Sequence, residues 1–211
     1  MTPLRIHLFG SLSLFWDDQP LPPVPGTAAR SLLAYLVTYR AQPHTRDLLA
    51  GTFWPDLPDT VARRRLSQAL WQIRRALAPV RDALDVDVLL AEGDTVQLNP
   101  HLPLWLDVDE FLVKSQIPNP KAQSGESGVG VWGLGFGILR DAVALYRGEF
   151  LAGYYDDWVL TERERLREIL LQVLERLIDA CKAQGEYEEA LVYARQLVGQ
   201  DPWREEAHCE V

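Results

Sequence analysis

Apolar residues recur along the first half of the chain with two spacings, one typical of strands and one of helices. Alternation in steps of two predicts short strands, and apolar residues three or four positions apart predict amphipathic helices. The elements predicted in chain order are two strands within Arg5–Trp16, a loop over residues 20–26, helices over about Thr27–Tyr39, Arg46–Phe53 and Asp59–Leu77, and a β-hairpin of Val86–Leu90 and Thr95–Leu98. Thr27 and Thr45 are expected as N-caps of the first two helices, and Pro79 as the stop after the third.

The second half is predicted to be helical apart from one segment rich in glycine. A short helix is expected to begin at Asp107. Residues 116–137 contain six glycines and two prolines, which predicts a mobile loop or an insertion. Further helices are predicted over about Ile138–Tyr146, Asp157–Ala183 and Glu186–Gly199, and after Pro202. Because the chain ends within this helical pattern at Val211, we expect a fragment or a truncated protein.

Charge is distributed unevenly between the two halves. The 211 residues carry a net charge of −9. Residues 1–106 hold ten basic and ten acidic side chains, whereas residues 107–211 hold 11 basic and 20 acidic ones. Within the first half, Thr60–Arg81 contains six arginines and no acidic residue. Since phosphate binding depends on a local basic patch, a nucleic-acid partner fits the first half despite the acidic total.

The third predicted helix has an apolar face opposite a face of arginine and amide side chains. At 100° per residue the apolar positions are Leu66, Ala69, Leu70, Ile73 and Leu77. The opposite face carries Arg64, Gln68, Trp71 and Arg75, flanked by Gln72, and one border carries Arg63 and Arg74. Arginine forms paired hydrogen bonds with guanine and glutamine with adenine, while border arginines bind phosphates. These seven residues are the candidate DNA contacts.

Two interpretations of this face are open: a solvated helix surface and a DNA-binding surface. The surrounding elements favour DNA, because a short helix, a turn, this helix and a β-hairpin follow in the order of a winged helix-turn-helix, whose second helix enters the major groove. Trp71 is expected to be exposed here. It either contacts a sugar or a thymine methyl group, or packs against the hairpin or another subunit.

The sequence lacks motifs for enzyme chemistry, cofactors and metals. It contains no GxxxxGK[ST] phosphate loop and no HExxH or GxSxG motif. The four histidines are scattered, and Cys181 and Cys209 lack metal-ligand spacing, so both cysteines are expected to be reduced packing residues. Apolar runs are too short to span a bilayer, and the N-terminus lacks a signal-peptide cleavage site. We therefore expect a cytoplasmic protein that is not an enzyme and needs no cofactor.

Small and aromatic residues near the end of the chain follow the pattern of a tetratricopeptide helix pair. They are Ala180, Gly185, Tyr187, Ala190, Ala194 and Pro202. Small side chains at these positions let two helices approach closely. A single pair cannot bury its apolar face alone, so the preceding helices or a partner must cover it. Such a domain either binds proteins or serves as a structural brace for the first half.

Several ordered motifs resemble the SARP-type (Streptomyces antibiotic regulatory protein) transcriptional activators. In the first half they are Leu4–Gly10, Ala29–Leu36, Arg46–Ala50, Phe53–Asp56 and Ala62–Leu77. In the second half they resemble the bacterial transcriptional activator domain of that family, at Leu106–Phe111, Tyr146–Gly153, Asp157-Trp158 and Asp201–His208. The resemblance spans nearly the whole chain.

The resemblance implies a mainly α-helical fold with a small β component. A winged helix-turn-helix of the response-regulator output type over residues 1–105 would be followed by a tetratricopeptide-like activator domain over residues 106–211. It also implies binding to double-stranded promoter repeats, often as a homodimer, and recruitment of RNA polymerase. The third helix would be the recognition helix, and Val86–Leu98 the wing.

Three features depart from the family pattern. The glycine-rich segment near residues 116–137 is not typical of it. The chain also stops after one complete repeat, whereas the family usually continues, and its 211 residues do not show the ATPase or sensor domains that many relatives carry. The alternative function is a protein-interaction module whose winged helix no longer binds DNA, which the acidic second half and an exposed Trp71 favour. Binding of a small effector is a weaker possibility, because the sequence defines no pocket.

Overall fold

The computed structural model describes residues 2–117 and 128–200, with the backbone alone for residues 128–133. The chain divides into two compact units. The first unit contains residues up to 8 together with residues 12–106, and the second contains residues 9–11 together with those from 107 onward. The fold is mainly helical with small sheets, as expected from the sequence.

Short strands and helices alternate through the first unit. Its strands are β1 (Leu4–His7), β2 (Ser13–Trp16), β3 (Gln19–Pro20), β4 (His44–Thr45), β5 (Leu89–Glu92), β6 (Thr95–Leu98) and β7 (Leu104–Leu106). Its helices are α1 (Thr27–Thr38), α2 (Arg46–Phe53), α3 (Asp59–Ala76) and α4 (Ala78–Leu84). The predicted strands before Trp16 and the three predicted helices are therefore confirmed.

The strands of the first unit form two small sheets. One has the strand order β3-β2-β1-β7, in which β7 runs parallel to β1 and the other pairs are antiparallel. The other has the order β4-β6-β5. In it, β5 and β6 form the predicted hairpin, closed by Gly93 and Asp94, with its first strand beginning at Leu89 rather than Val86.

The pattern of apolar residues does not predict β3, β4, β7 or α4, and Pro20, expected at the start of a loop, is the second residue of β3. Strands of two or three residues are too short to show alternation. Helix α4 follows α3 directly, and Pro79 lies in its first turn. Proline is favoured there because the first N–H groups of a helix have no intrahelical partner to lose. Pro79 therefore follows the end of α3 as predicted, but it lies in the first turn of a second helix.

The caps of α1 and α2 test two predictions. Thr45 caps α2 as predicted, since its hydroxyl oxygen accepts a hydrogen bond of 3.2 Å from the backbone N–H of Leu48. The predicted cap at Thr27 is wrong, because Gly26 is the N-cap residue of α1. Gly26 has φ 81°, which suits glycine, and Thr27 already lies inside the helix.

Helices α1 and α3 supply much of the core of the first unit. Leu32, Leu33 and Leu36 of α1 are fully buried, and so are Leu66 and Ile73 of α3. Complete burial of an aliphatic side chain contributes about 1.5–3 kcal/mol to folding. The apolar face that the sequence predicts for α3 is therefore a core face.

The second unit consists of helices joined by one structured loop. The helices are α5 (Asp107–Ser115), α6 (Gly128–Leu145), α7 (Asp157–Gln184) and α8 (Tyr187–Gln200). Helix α7 is followed by Gly185, whose φ of 79° gives the left-handed conformation common after a helix. Helices α7 and α8 pack on each other as a helical pair, and Ala190 and Ala194 of α8 are buried. The predicted helix after Pro202 lies outside the described residues.

The expectation of a loop over residues 116–137 is wrong for its last part. Helix α6 begins at Gly128 and includes every residue from there to Leu145. Each glycine costs a helix about 1 kcal/mol relative to alanine, so local propensity opposes this helix. Packing against α5 and α7 outweighs that cost, with Leu139 and Ala142 fully buried. The earlier part of the predicted loop falls mostly outside the described residues.

The loop between α6 and α7 is organised around Arg163. The guanidinium donates hydrogen bonds of 3.0 Å to the backbone carbonyls of Phe150, Leu151 and Tyr154. It also lies 3.4 Å from a carboxylate oxygen of Glu149. The side chain is only 14% exposed. One residue of α7 therefore satisfies three carbonyls of the loop.

Cys181 of α7 is buried and has its thiol free. Burial raises the pKa of the thiol to about 11, with Glu189 and Glu186 adding to the shift. Since the ordinary value is 9.0, the reactive thiolate is about 100-fold scarcer at a given pH. Cys209, which is also predicted to be a reduced packing residue, lies outside the described residues.

We therefore expect Cys181 to resist iodoacetamide in the folded protein at pH 8. Peptide mass spectrometry after a timed reaction measures the alkylated fraction, and the same reaction in urea is the control in which the thiol is exposed. Equal alkylation rates in buffer and in urea would contradict the buried environment of this thiol.

Within the described parts of the chain, no helix is both long and apolar enough to cross a membrane.

Candidate nucleic-acid interface

Helix α3, from Asp59 to Ala76, carries all seven candidate DNA contacts. The carbonyl of Pro58 accepts hydrogen bonds from the N–H groups of Val61 and Ala62, which starts the helix without a side-chain cap. Asp59 in the first turn and two arginines in the last turn complement the helix dipole. These local features define an 18-residue helix that follows the short α2 and its connecting turn.

The structure places the predicted outward residues on the exposed side of α3. Arg64, Gln68, Trp71 and Arg75 are exposed, as are Arg63 and Arg74, whereas Gln72 is half-buried. Arg64, Gln68 and Arg75 follow one another at intervals of four and seven residues, which keeps them on one stripe. With a rise of 1.5 Å per residue, the stripe from Arg64 to Arg75 spans about 16 Å.

Most arginines of this helix have no acidic partner. Among residues 2–117 and 128–200, no ion pair is formed by Arg64, Arg65, Arg74 or Arg75. These four guanidinium groups are therefore able to meet anions without first breaking an ion pair. An unpaired cluster of this kind matches what a phosphate backbone requires.

Trp71 lies on the same exposed face, in contact with Arg75. The guanidinium carbon of Arg75 is 5.3 Å from the centre of the Trp71 ring, a cation–π distance. The indole is 56% exposed, so the hairpin does not bury it. Of the alternatives for Trp71, contact with a sugar or thymine methyl group and contact with another subunit remain open.

Gln72 and Arg63 differ from the other candidates, because each is directed toward a neighbouring element. Gln72 lies beside the start of α1: a Cβ atom on Gly26 would come within 3.7 Å of its Oε1. Arg63 is paired with Asp47 of α2, and its other terminal nitrogen lies 3.8 Å from Asp94 in the hairpin turn. The structure thus places Gln72 and Arg63 at the edges of the exposed surface. The other five candidates lie on that surface: Arg64, Gln68, Trp71, Arg74 and Arg75.

The hairpin beside this surface contains acidic residues and no basic ones. Between Val86 and Leu98 the acidic residues are Asp87, Glu92 and Asp94, and the range contains no lysine or arginine. The hairpin therefore cannot attract phosphates by its own charge. Attraction to a polyanion must therefore come from the arginines of α3. The absence of lysine and arginine between Val86 and Leu98 is the sequence signal of this distribution.

Groups suited to metal binding are not found together in the part of the chain that the structure describes. Among those residues, no set of three or more histidine, cysteine, aspartate or glutamate side chains is arranged to hold a metal ion. His44 is buried, and its Nε2 lies 2.9 Å from the carbonyl of Tyr39, which makes it a hydrogen-bonded core residue.

Comparison with known proteins gives three results. Residues 130–211 match the bacterial transcriptional activator domain. The chain is 29% identical over 202 residues to the regulatory protein AfsR of Streptomyces coelicolor, a match that covers 96% of this chain and 19% of AfsR. Its fold is similar to that of Mycobacterium tuberculosis EmbR, solved in complex with a low affinity phosphopeptide, with a TM-score of 0.79 and 22% identity.

The lengths of these relatives differ greatly from that of this chain. The match to EmbR covers 100% of this chain and 54% of EmbR. The chain thus spans about a fifth of the curated relative and about half of the solved structure. The phosphopeptide belongs to EmbR, and at this level of identity the structural likeness establishes the fold alone.

Proposed function

We propose that this chain is a SARP-type transcriptional activator and that it binds double-stranded promoter DNA in a sequence-specific manner. Residues 1–105 are proposed to form a winged helix-turn-helix, and residues 106–211 a tetratricopeptide-like activator domain. In the first of these, α2 and α3 are the helix-turn-helix and the hairpin of β5 and β6 is the wing. Regulation of transcription is the role that the family supports.

The observation that carries the proposal is the two-sided character of α3. One side lies in the core through Leu66, Leu70 and Ile73, each at most 1% exposed. The other presents Arg64 and Arg75, which lack acidic partners among the described residues. A helix held firmly by its back, with free arginines in front, is suited to enter the major groove.

The chemistry of the exposed side chains suggests their roles on DNA. Arg64 and Arg75 are proposed to form paired hydrogen bonds with guanine, and Gln68 with adenine. Arg74 is proposed to bind a phosphate at the border of the groove. Trp71 offers an apolar surface for a sugar or a thymine methyl group. Gln72, half-buried beside the start of α1, is proposed to contact DNA only at the edge of the interface.

The second unit is proposed to contact RNA polymerase, with the whole chain acting as a homodimer on DNA in the cytoplasm. The match of residues 130–211 to the activator domain supports a protein-binding role for this part. Helical pairs such as α7 and α8 commonly provide protein-binding surfaces. The excess of acidic residues after position 106 favours a protein partner over DNA for the second unit.

The second candidate function is a protein-interaction module whose winged helix does not bind DNA. The exposed indole of Trp71 favours it, because large exposed aromatic side chains are enriched in protein interfaces. Under this alternative the acidic second unit would also serve a protein partner. Stable co-purification with a protein, without salt-dependent affinity for DNA, would support it.

The test of DNA binding is the affinity of the full chain for fragments of its own promoter region at about 50 and 200 mM salt. We expect a steep fall in affinity between the two salt concentrations, with a preference for one fragment. Arg64→Ala and Arg75→Ala are each expected to weaken specific binding by roughly 1–3 kcal/mol without unfolding the protein.

Arg81→Ala is the matched control for these variants. Arg81 is the remaining arginine of the Thr60–Arg81 stretch, but it lies on α4 and is paired with Asp82. Its removal changes net charge by the same amount and should leave specific affinity nearly unchanged. If Arg64→Ala and Arg75→Ala both bind like the unmodified protein, α3 is not the recognition helix. Absence of binding at both salt concentrations would contradict the DNA-binding function itself.

A further inference from the structure

Three elements of the first unit converge on the side chain of Arg63. The residue lies in the second turn of α3, and its guanidinium is paired with Asp47 in the first turn of α2. Its other terminal nitrogen lies 3.8 Å from the carboxylate of Asp94 in the hairpin turn. All three side chains are partly exposed, so each pair alone adds little to the free energy of unfolding.

Backbone hydrogen bonds also connect the hairpin turn to the start of α2. The N–H of Arg46, the first residue of α2, donates a hydrogen bond of 2.8 Å to the carbonyl of Asp94. Thr45 pairs with Thr95 across β4 and β6. The hairpin turn is thus attached to the start of α2, and Arg63 extends that attachment to α3.

From this geometry we infer that Arg63 is a positioning residue and not one of the phosphate contacts. Its guanidinium links α3 to the hairpin turn through Asp94 and to α2 through Asp47, and its positive charge offsets part of the charge of these two carboxylates. The inference rests on the proposed function, because the arrangement matters for DNA only if α3 and the hairpin bind together. It assigns Arg63 a different role from Arg64 and Arg75, which have no acidic partner among the described residues.

The charge of the hairpin explains why such a residue is needed. The turn carries Asp94 next to Glu92 and Gly93, and the strands of the hairpin contain no basic residue. A carboxylate close to a phosphate is repelled, so an unpaired Asp94 would push the turn away from the DNA. With the charge of Asp94 offset by Arg63, the turn can lie beside the backbone while α3 occupies the groove.

A double-mutant cycle separates positioning from direct contact. The variants are Arg63→Gln, the pair Asp47→Asn with Asp94→Asn, and the combination of all three, each in the full chain. If Arg63 acts through the carboxylates, Arg63→Gln alone should weaken DNA binding by roughly 3- to 10-fold. In the background without the two carboxylates, the same change should have almost no effect. The salt dependence should keep nearly the same slope.

Direct contact with a phosphate predicts the opposite pattern. Arg63→Gln would then weaken binding by the same factor in both backgrounds and would lower the salt slope by about one. That result would overturn the inference. Arg81→Gln is the matched control, because it removes one exposed arginine and breaks its pair with Asp82, which links no separate elements.

A second measurement does not depend on DNA. Hydrogen exchange of the unbound protein, followed by mass spectrometry, reports the mobility of the hairpin turn and of the start of α2. Arg63→Gln should speed exchange of peptides covering residues 45–48 and 93–96 several-fold, while peptides of β1 and β2 stay unchanged. Unchanged exchange at the hairpin would overturn the inference even if the protein binds DNA. Faster exchange in a protein without DNA affinity would leave the positioning role and reject the proposed function.

Discussion

Replacement of Arg163 by alanine is expected to lower the free energy of unfolding of the second unit by about 3 kcal/mol. The guanidinium donates to three loop carbonyls and is only 14% exposed. Alanine would remove the guanidinium donor from all three carbonyls, including that of the fully buried Phe150. The carbonyl of the fully buried Leu151 would keep only the hydrogen bond of 3.1 Å that it accepts from the N–H of Tyr154. A buried acceptor without a partner costs about 1–3 kcal/mol, and part of this cost is recovered as water enters.

The backbone conformation of the loop between α6 and α7 makes the stability of the second unit more sensitive to the loss of Arg163. Leu151 has φ 48°, in the left-handed region that side chains other than glycine rarely adopt. Arg163 holds the carbonyl of this residue at 3.0 Å. Loss of that hydrogen bond removes a contact that opposes relaxation of the strained backbone. Lysine at position 163 is expected to rescue only part of the stability, since one ammonium group cannot reproduce the planar fork of a guanidinium.

Hydrogen exchange of peptides from α7, measured by mass spectrometry, tests the expected loss of stability of the second unit. Arg140→Ala is the matched control, because Arg140 is an exposed arginine of α6 in the same unit. The control should leave the protection of α7 unchanged. Protection in Arg163→Ala equal to that of the unmodified protein would show that other groups hold the loop.

Ile73→Ala is expected to cause a large loss of folding stability in the first unit. Ile73 is fully buried on the inner face of α3. Removal of a buried isoleucine side chain leaves a cavity and costs about 2–5 kcal/mol. Thermal or urea unfolding of the full chain, followed with hydrogen exchange of α1 and α3 peptides, measures the loss. Val61→Ala is the control, since Val61 lies on the same helix and is 39% exposed.

DNA affinity distinguishes this variant from those of the outer face. Ile73→Ala should retain specific binding under conditions in which the first unit remains folded, because the side chain does not reach the surface. Arg64→Ala should lose affinity at every temperature without losing stability. If Ile73→Ala lost affinity while its α3 peptides stayed protected, the division of α3 into a core face and a binding face would be contradicted.

The spacing of apolar residues at three or four positions predicts most of the helices. In α3, the apolar residues at helical spacing are the buried ones, and the arginines opposite them are exposed. The hairpin and α7 are also present near their predicted bounds. Such patterns succeed because the burial of one face dominates the energy of an amphipathic element. The same periodicity placed Arg64, Gln68 and Arg75 on one stripe.

The features that the sequence did not predict depend on contacts between distant residues. β7 has only three residues, and its strand conformation follows from pairing with β1 about 100 positions earlier. Helix α6 contains glycines that local propensity disfavours, and its packing against other helices is not visible in the sequence. The pairing of Arg63 with Asp94 belongs to the same class, because the two residues meet only when α3 and the hairpin are both in place.

The parallel pairing of β1 with β7 has a consequence for the synthesis of the protein. Leu4 leaves the ribosome 100 residues before its partner Leu104. Until then β1 has β2 beside it and an open edge on its other side. The sheet of the first unit therefore cannot be completed until residue 104 has been synthesised, so a nascent chain that stalled before this residue would expose an unpaired strand to chaperones and to other nascent chains.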